Sequence, residues 1–238
     1  MVIINENNNK NLGYLKELDV FFKLVDWNGL QILDIGCGNG ELPIALSSRG
    51  GNVIGIESDP IQAKKNSNHD IINVQFLYGS GHEIPFENNS FDSVVFSKSL
   101  HHVPVELMDK SIFEAIRVLR NNGFLFVLEP DVNGTFFELI RPFHDETYVR
   151  NQAIIALNNV ANNYFKNLQE FYFTSQYSFK DFETFVNKMS STTFNNISKE
   201  SINNEKVNQI FKKGHHKDGY YFENRMIVRI YKNKKYDG

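Results

Sequence analysis

Apolar residues in the first half of the chain occur in short runs, separated by longer segments with helical spacing. Five runs have the length and continuity of buried strands, namely residues 31–35, 52–57, 74–79, 91–97 and 123–129. The segment before the last run has apolar side chains on one helical stripe, formed by Leu107, Ile112, Ala115, Ile116 and Leu119. Apolar strands that alternate with amphipathic helices are typical of a parallel sheet with helices on both faces.

This alternation stops after Glu129. Residues 131–176 predict two helices rich in phenylalanine and tyrosine and no strand, so we expect a helical cap inserted after the fifth strand. A helix near residues 178–190, a strand near 193–198 and a closing strand over 221–231 follow. The aromatic side chains of this half predict mainly the core of the cap, with a few of them lining an apolar pocket.

The N-terminal segment, residues 1–29, is predicted to contain an amphipathic helix. Its apolar positions at helical spacing are Leu12, Leu15, Leu18, Phe22 and Val25. No internal repeat or glycine- and proline-rich linker divides the sequence. We therefore predict a single domain over residues 1–238 with an α/β fold, a doubly wound, mostly parallel, seven-stranded Rossmann-like sheet that carries the inserted cap.

The composition narrows the class of protein. A formal net charge of −3 at pH 7 provides no broad positive surface for nucleic acid. No apolar run approaches the roughly 18 residues that a membrane-spanning helix needs, and the first residues lack the pattern of a signal peptide. A single cysteine excludes an internal disulfide and fits a reducing compartment. We expect a cytoplasmic monomer or homodimer with no nucleic-acid partner and no membrane span.

Candidate chemistry first appears in the sequence QILDIGCGNGEL, residues 31–42. Gly36, Gly38 and Gly40 follow the first predicted strand, and glycine allows the backbone to approach a ligand closely. A dinucleotide-binding loop requires G-x-G-x-x-G, but Glu41 occupies the third glycine position, where its carboxylate would oppose a pyrophosphate. A Walker loop needs lysine followed by serine or threonine, which this loop lacks.

Cys37 lies in the same loop, but no second cysteine exists to complete a thiolate metal site. We interpret it as a small apolar side chain in a tight turn. The remaining ligand class is S-adenosylmethionine, which carries no phosphate. Asp34 at the end of its strand suits the ammonium side of that ligand, and Glu57 at the end of the next strand offers two oxygens to the ribose hydroxyls. Because ribose-binding acids also occur in dinucleotide sites, the loop spacing discriminates between the two classes and Glu57 does not.

Four ordered blocks of sequence resemble class I S-adenosylmethionine-dependent methyltransferases, of the small-molecule group that includes the ubiquinone/menaquinone-type C-methyltransferases. The blocks are ILDIGCGNG, VIGIESDP, GSGHEIPFENNSFDSVVFSKSLHHV and EAIRVLRNNGFLFVLEP, which cover about residues 30–130. The resemblance implies S-adenosylmethionine as the cofactor. It also implies that the N-terminal helix lies over the cofactor and that the cap over residues 131–176 covers a small-molecule substrate.

The resemblance further implies a set of cofactor-binding residues at the ends of the strands and in the loops that follow them. These residues are Tyr14, Asp34, Gly36, Gly38, Gly40, Glu57, Ser58, Gly79, Ser80, Gly81 and Ser97. Tyr14 either closes over the cofactor or belongs to the core. Where this family usually has an aspartate that accepts from the adenine amino group, this chain has Ser80, an uncharged and therefore weaker acceptor. We expect modest cofactor affinity, or a compensating contact from His82 or Glu83.

No residue is identified as the catalytic group from sequence, and three candidates remain. His102 either shapes the floor of the pocket or acts as a general base, and His144 either faces the substrate or is a surface histidine. Glu129 ends the fifth strand, where it either lies at the pocket or caps the next helix. His101 and His102 are adjacent in sequence, and adjacent side chains generally point in different directions. Because no acidic cluster accompanies them in the sequence, we predict no metal site.

The leading hypothesis is an enzyme that transfers a methyl group to an oxygen, nitrogen or carbon atom of a small, partly apolar metabolite. Methyl transfer depends mainly on alignment of the reacting atoms, so the family needs no universal catalytic residue. The alternatives are an RNA methyltransferase, and a non-catalytic or repurposed protein that binds S-adenosylmethionine.

Overall fold

Nine strands form one mixed sheet in the computed structural model, which describes residues 10–191 and 197–235. The strands are β1 (Asn11–Tyr14), β2 (Gln31–Ile35), β3 (Asn52–Glu57), β4 (Val74–Tyr78), β5 (Phe91–Ser97), β6 (Leu119–Pro130), β7 (Phe165–Phe179), β8 (His215–His216) and β9 (Gly219–Lys234). The helices are α1 (Glu17–Leu24), α2 (Glu41–Ser47), α3 (Pro60–Asn66), α4 (Val105–Val118), α5 (Thr135–Ile140), α6 (Thr147–Asn159), α7 (Ala161–Tyr164), α8 (Phe182–Ser190), α9 (Lys199–Ile202) and α10 (Glu205–Lys212), with a 3₁₀ helix at Leu100–His102.

The strand order across the sheet is β1-β7-β9-β6-β5-β2-β3-β4, and β8 pairs with β9. β9 runs antiparallel to both of its long neighbours, β6 and β7, whereas the pairs from β6 to β4 are parallel. The carboxyl ends of β2 to β6 therefore share one edge of the sheet, which is where open α/β folds bind ligands.

The first five predicted strands are all present; β2, β3, β5 and β6 are mostly buried apolar runs, whereas β4 lies at the edge of the sheet and is partly exposed. In β5, for example, Val94, Val95 and Phe96 are fully buried. The Asp59 carboxylate accepts a hydrogen bond from the Ile61 N–H at 2.9 Å and so caps α3, as the aspartate-proline pair predicts. The predicted α/β fold is confirmed, whereas the described residues form a sheet of nine strands instead of the predicted seven.

Strand β7 lies in a segment for which the sequence pattern predicts helix. Residues 165–176, expected to be helical, belong to β7, so the prediction of a purely helical segment over 131–176 is wrong. Burial in β7 has period two, with Phe171, Phe173 and Ser175 buried and Tyr172 partly exposed, and this period is typical of a strand with one covered face. The strand predicted near 193–198 falls mostly on residues 192–196, which lie outside the described residues.

The N-terminal segment also differs from the prediction. Residues 11–14 form the edge strand β1, and the helix begins only at Glu17. Gly13, at φ +73°, has a backbone conformation incompatible with a helix, and the Tyr172 N–H donates to the Lys10 carbonyl at 2.8 Å, which ties this segment to β7.

The buried side chains form three clusters. One covers the α4 face of the sheet and includes α6, so α6 is part of the main core. The second packs α1 and α2 on the opposite face. The third joins α5, α8, α9 and α10 with the ends of β7 and β9, and we call these four helices the cap cluster. The predicted cap over residues 131–176 is therefore divided. Its second helix, α6, packs on the sheet, and the helices α8, α9 and α10, which follow β7, complete the cap cluster. None of the described helices combines the length and the apolar character required to span a bilayer.

Candidate functional site

The glycine loop connects β2 to α2 at the carboxyl edge of the sheet. The N–H groups of Gly36 and Cys37 both donate to the Ile56 carbonyl, at 2.8 and 3.0 Å, which holds the loop against β3. A Cβ at Gly36, whose φ is +73°, would lie 2.6 Å from the Ser99 Cβ. At Gly38, φ is +53° but no atom lies within 4 Å of a Cβ position, so this glycine borders open space. The loop is therefore closely packed against Ser99 at Gly36 and borders open space at Gly38.

Glu57 ends β3 and supports the loop directly. One carboxylate oxygen accepts from the Gly38 N–H at 2.8 Å, and the other accepts from the Asp59 N–H at 2.9 Å. Each oxygen retains a second lone pair that a ribose hydroxyl can use. Asn66 of α3, fully buried, donates to the Gly38 carbonyl at 2.7 Å. Sequence reasoning did not identify Asn66, because nothing in its helical position indicates a contact with a distant loop.

Asp34 is the penultimate residue of β2, its carboxyl group is buried, and its Oδ1 atom has no hydrogen-bond partner among the described residues. Burial, with the nearby charge of Glu57, raises the pKa of Asp34 to about 8. A buried carboxylate without a partner is costly unless a cation or donor pairs with it. The ammonium and sulfonium groups of S-adenosylmethionine supply such a cation, so the donor set and the open space at Gly38 fit this cofactor.

Cys37 is buried, and burial raises the pKa of its thiol, which makes it a poor thiolate ligand or nucleophile. Its interpretation as a small apolar side chain agrees with its position against Gly55, where a Cβ would lie 2.8 Å from the Cys37 Sγ.

The predicted adenine-binding segment follows β4. The Gly79 N–H donates to the Glu57 carbonyl at 3.0 Å, which places this segment beside the end of β3, where Glu57 is predicted to bind the ribose. The Ser80 hydroxyl lies 3.5 Å from the His82 Nε2 atom, so the histidine suggested as a compensating contact is next to the serine. Ser58, exposed, lies one residue beyond Glu57. The assignment of these residues to the adenine remains a prediction.

Lys98, directly after Ser97 and β5, was not identified from the sequence. Its φ is +55°, a left-handed conformation that is uncommon for a lysine, and its ammonium group pairs with Glu17 of α1. The Tyr177 hydroxyl donates to the other Glu17 oxygen at 3.3 Å. Burial acts to lower the pKa of Lys98, but the charges of Glu17 and Tyr177 outweigh it and raise this pKa. These contacts connect the N-terminal helix to the edge of the site.

Glu129 and His101 form a buried pair where β6 and β5 end side by side. One Glu129 oxygen accepts from the Leu100 N–H at 3.0 Å, and the other pairs with the His101 Nδ1 atom. Glu129 therefore lies at the carboxyl edge of the sheet and holds His101, a residue that is not among the catalytic candidates predicted from the sequence.

Glu146, before α6, extends this pair into a cluster. Its Oε1 atom lies 3.8 Å from the His101 Nε2 atom and 2.8 Å from the His144 Nε2 atom, and its Oε2 atom accepts from Arg150 at 2.6 Å. Burial acts to lower the pKa of His101, but the charges of Glu129 and Glu146 raise it overall.

The rings of His101 and His102 have centroids 4.1 Å apart, so the two side chains are neighbours rather than opposed. The expectation that no acidic group accompanies them is wrong, since Glu129 and Glu146 are both present. His101, His102 and Glu146 each offer a ligand atom, and these atoms lie within 4.8 Å of one another. Chain folding brings Glu146 to this position from a segment distant in sequence.

Tyr14 occupies a different position from the one predicted. It ends β1, is 66% exposed, and its hydroxyl pairs with Glu223 of β9. Four strands of the described sheet separate β1 from β2, the strand of Asp34. The prediction that Tyr14 reaches the cofactor from a helix is therefore wrong about the element that carries it.

Comparison with known proteins identifies the core of the chain. Residues 33–127 match the family model of a methyltransferase domain. Demethylmenaquinone methyltransferase of Staphylococcus aureus is 29% identical over 138 residues, which are 52% of this chain and 56% of that protein. The chain thus spans about half the length of the curated relatives it matches.

Solved structures share the fold. The YcgJ protein of Bacillus subtilis aligns with a TM-score of 0.65 and 18% identity over 93% of this chain and 99% of that chain. An S-adenosylmethionine-dependent methyltransferase of Thermotoga maritima aligns with a TM-score of 0.53 and 14% identity, over 91% and 87% of the two chains. The [4+2]-cyclase SpnF has the same fold, with a TM-score of 0.53 and 16% identity over 86% and 76%.

These matches agree with the family that the sequence resembles and support S-adenosylmethionine as the cofactor. The chain carries, in residues 33–127, a methyltransferase domain, which agrees with the resemblance of its sequence to the class I S-adenosylmethionine-dependent methyltransferases.

Proposed function

We propose that this protein transfers a methyl group from S-adenosylmethionine to a small, partly apolar metabolite. The observation that carries the proposal is the buried Asp34 carboxylate, whose Oδ1 atom has no hydrogen-bond partner among the described residues. A cationic ligand would compensate the charge of this carboxylate. The open space above Gly38 and the two oxygens of Glu57 support the same ligand.

The cofactor supplies a methyl group that is activated by its attachment to a sulfonium. The chain's own contribution is binding and orientation, and proximity of this kind supplies roughly 7–11 kcal/mol. Asp34 pairs with the cationic part, the glycine loop approaches the methionine part, and Glu57 holds the ribose hydroxyls. Glu129 fixes the orientation of His101 at the same edge of the sheet.

The substrate class is supported by the cap cluster. Its interior is aromatic, with Phe136 stacked on Tyr177 at a centroid distance of 4.1 Å and Phe185 buried against Phe211. An apolar cap beside the sheet edge suits an apolar acceptor and exclusion of water. His102, Glu129 and His144 remain the candidate catalytic residues.

Calorimetry with S-adenosylmethionine tests the proposal, with Asp34→Ala as the comparison. We expect saturable one-to-one binding by the natural protein and at least tenfold weaker binding by the variant, because a desolvated charge pair is lost. The absence of binding at about millimolar cofactor would refute the proposal, since that affinity corresponds to only about 4 kcal/mol.

Transfer of a labelled methyl group separates the remaining alternatives. We expect label in the small-molecule fraction when the protein is incubated with a metabolite extract and total RNA. Label in the RNA would establish an RNA methyltransferase instead. Tight cofactor binding without label in either fraction would favour a repurposed fold, a class that the shared fold of the cyclase SpnF makes reasonable.

A further inference from the structure

We propose that His101, His102 and Glu146 form a binding site for a divalent transition metal at the carboxyl edge of the sheet. Two histidines and one carboxylate are the ligand set of several catalytic zinc sites and of mononuclear iron sites, and such sites leave a coordination position open. The ligand atoms of the three residues lie within 4.8 Å of one another, and all three side chains belong to described residues.

The arrangement of His101 favours a cation in front of its ring. Its Nδ1 atom pairs with Glu129, so its Nε2 atom faces the Glu146 Oε1 atom, at 3.8 Å. That distance is too long for a hydrogen bond. Two ligands of a tetrahedral zinc, each about 2.0–2.2 Å from the metal, lie roughly 3.3–3.6 Å apart. A metal therefore fits the gap with a small adjustment.

The groups behind the ligands are those that metal sites use. A ligating histidine almost always donates its other N–H to a carboxylate or carbonyl, as His101 does to Glu129. Ligating carboxylates are themselves hydrogen-bonded, and Glu146 accepts from Arg150 at 2.6 and 3.1 Å and contacts the His144 Nε2 atom at 2.8 Å. Arg150 is held in turn by the Asp131 carbonyl at 2.8 Å and lies over the Phe137 ring.

His102 completes the set and gives access to it. His101 and Glu146 are buried, whereas His102 is exposed, so the site can exchange metal with solvent on one side. The site lies where β5 and β6 end, the same edge that carries Asp34 and Glu57. If the proposed function holds, the open coordination position would take an oxygen of the acceptor molecule, which points to a substrate with a hydroxyl or carboxylate group.

Titration of the full chain, first treated with a chelator, with Zn²⁺ and with Co²⁺ tests the proposal. We expect one metal per chain and, for Co²⁺, the visible absorption bands of a low-symmetry nitrogen and oxygen site. His102→Ala removes an exposed ligand with little risk to the fold and should weaken binding at least tenfold. Glu129→Gln leaves the three ligands in place and should weaken it about 10–100-fold.

The matched control is His216→Ala, which alters the exposed pair His215 and His216 of β8 and should leave metal binding unchanged. Absence of one-to-one Zn²⁺ binding up to about 1 mM would overturn the proposal, as structural and catalytic sites bind far more tightly. Equal affinity in His102→Ala, or loss in His216→Ala, would also overturn it. Cofactor calorimetry in the absence of metal reports the proposed function separately, so either idea can fail alone.

Discussion

The Glu57 carboxylate accepts a hydrogen bond from the Gly38 N–H at 2.8 Å, so the acid predicted to bind the ribose also holds the glycine loop that is predicted to line the cofactor. We expect Glu57→Ala to affect both properties. It leaves the N–H groups of Gly38 and Asp59 without this acceptor, which costs about 1–3 kcal/mol of unfolding free energy. Cofactor affinity should fall at least tenfold.

Chemical denaturation and calorimetry measure the two effects of this substitution. Glu87→Ala, at an exposed glutamate, is the control and should change neither quantity by more than about 0.5 kcal/mol. Unchanged cofactor affinity in a folded Glu57→Ala protein would show that the carboxylate does not contact the ligand.

The raised pKa of Asp34 makes the stability of the cofactor-free protein depend on pH. The native state keeps the Asp34 proton at pH values where the unfolded chain has lost it, so the free energy of unfolding should decrease as pH rises from about 4 to about 8. Asp34→Asn removes this decrease and should raise the melting temperature at pH 8, by about 2–4 °C for each kcal/mol gained. If Asp34→Asn left the melting temperature at pH 8 unchanged, this would contradict the presence of an uncompensated buried charge on Asp34.

The same titration should appear in cofactor binding. A cationic ligand favours the ionised form of Asp34. The affinity for S-adenosylmethionine should therefore increase as the pH rises from 6 to 7.5, by up to about tenfold per pH unit. Calorimetry in buffers of different ionisation enthalpy should detect proton release. Asp34→Asn should bind weakly at every pH, without proton release.

Gly38 offers a steric test of the site. Gly38→Leu places a side chain in the space above the loop and should abolish cofactor binding, at a backbone cost of about 1 kcal/mol for the left-handed conformation. Gly29 has a similar φ of +76° and open space around it, but it lies before β2 at the opposite edge of the sheet. Gly29→Leu should lose similar stability and retain binding, as measured by calorimetry and thermal melting.

Ser80 offers a test by gain of affinity. Ser80→Asp supplies a charged acceptor to the adenine amino group, and such hydrogen bonds are about twice as strong as neutral ones. We expect cofactor affinity to rise about three- to tenfold, with no change in the pH dependence that Asp34 causes. Weaker binding by Ser80→Asp would mean that the adenine does not lie against this residue.

Much of the fold was predictable because its first five strands are short, near-continuous apolar runs that alternate with segments of helical spacing. β7 was missed because its aromatic residues fit a helical core as well as a strand, and its pairing with β1 and β9, which are distant in sequence, selects the extended form. The tight glycine loop between β2 and α2 was predictable because its residues are contiguous in sequence. Glu129, His101 and Glu146 meet only after β5 and β6 pair and α6 packs beside them, so no local signal reports their contact.

The position of β9 has a consequence for how the protein acquires its structure during synthesis. This strand lies between β6 and β7, and it forms its ladders with residues made long before it. Until residues 219–234 have left the ribosome, β6 and β7 each present an unpaired edge, and Glu129 lies at the end of one of them. The cofactor loop can form from the first half of the chain, whereas the edge that holds His101 reaches its final support only with the last strand. The free edges of β6 and β7 are therefore most exposed to incorrect strand pairing while helices α8 to α10 are being synthesised, before β9 is available.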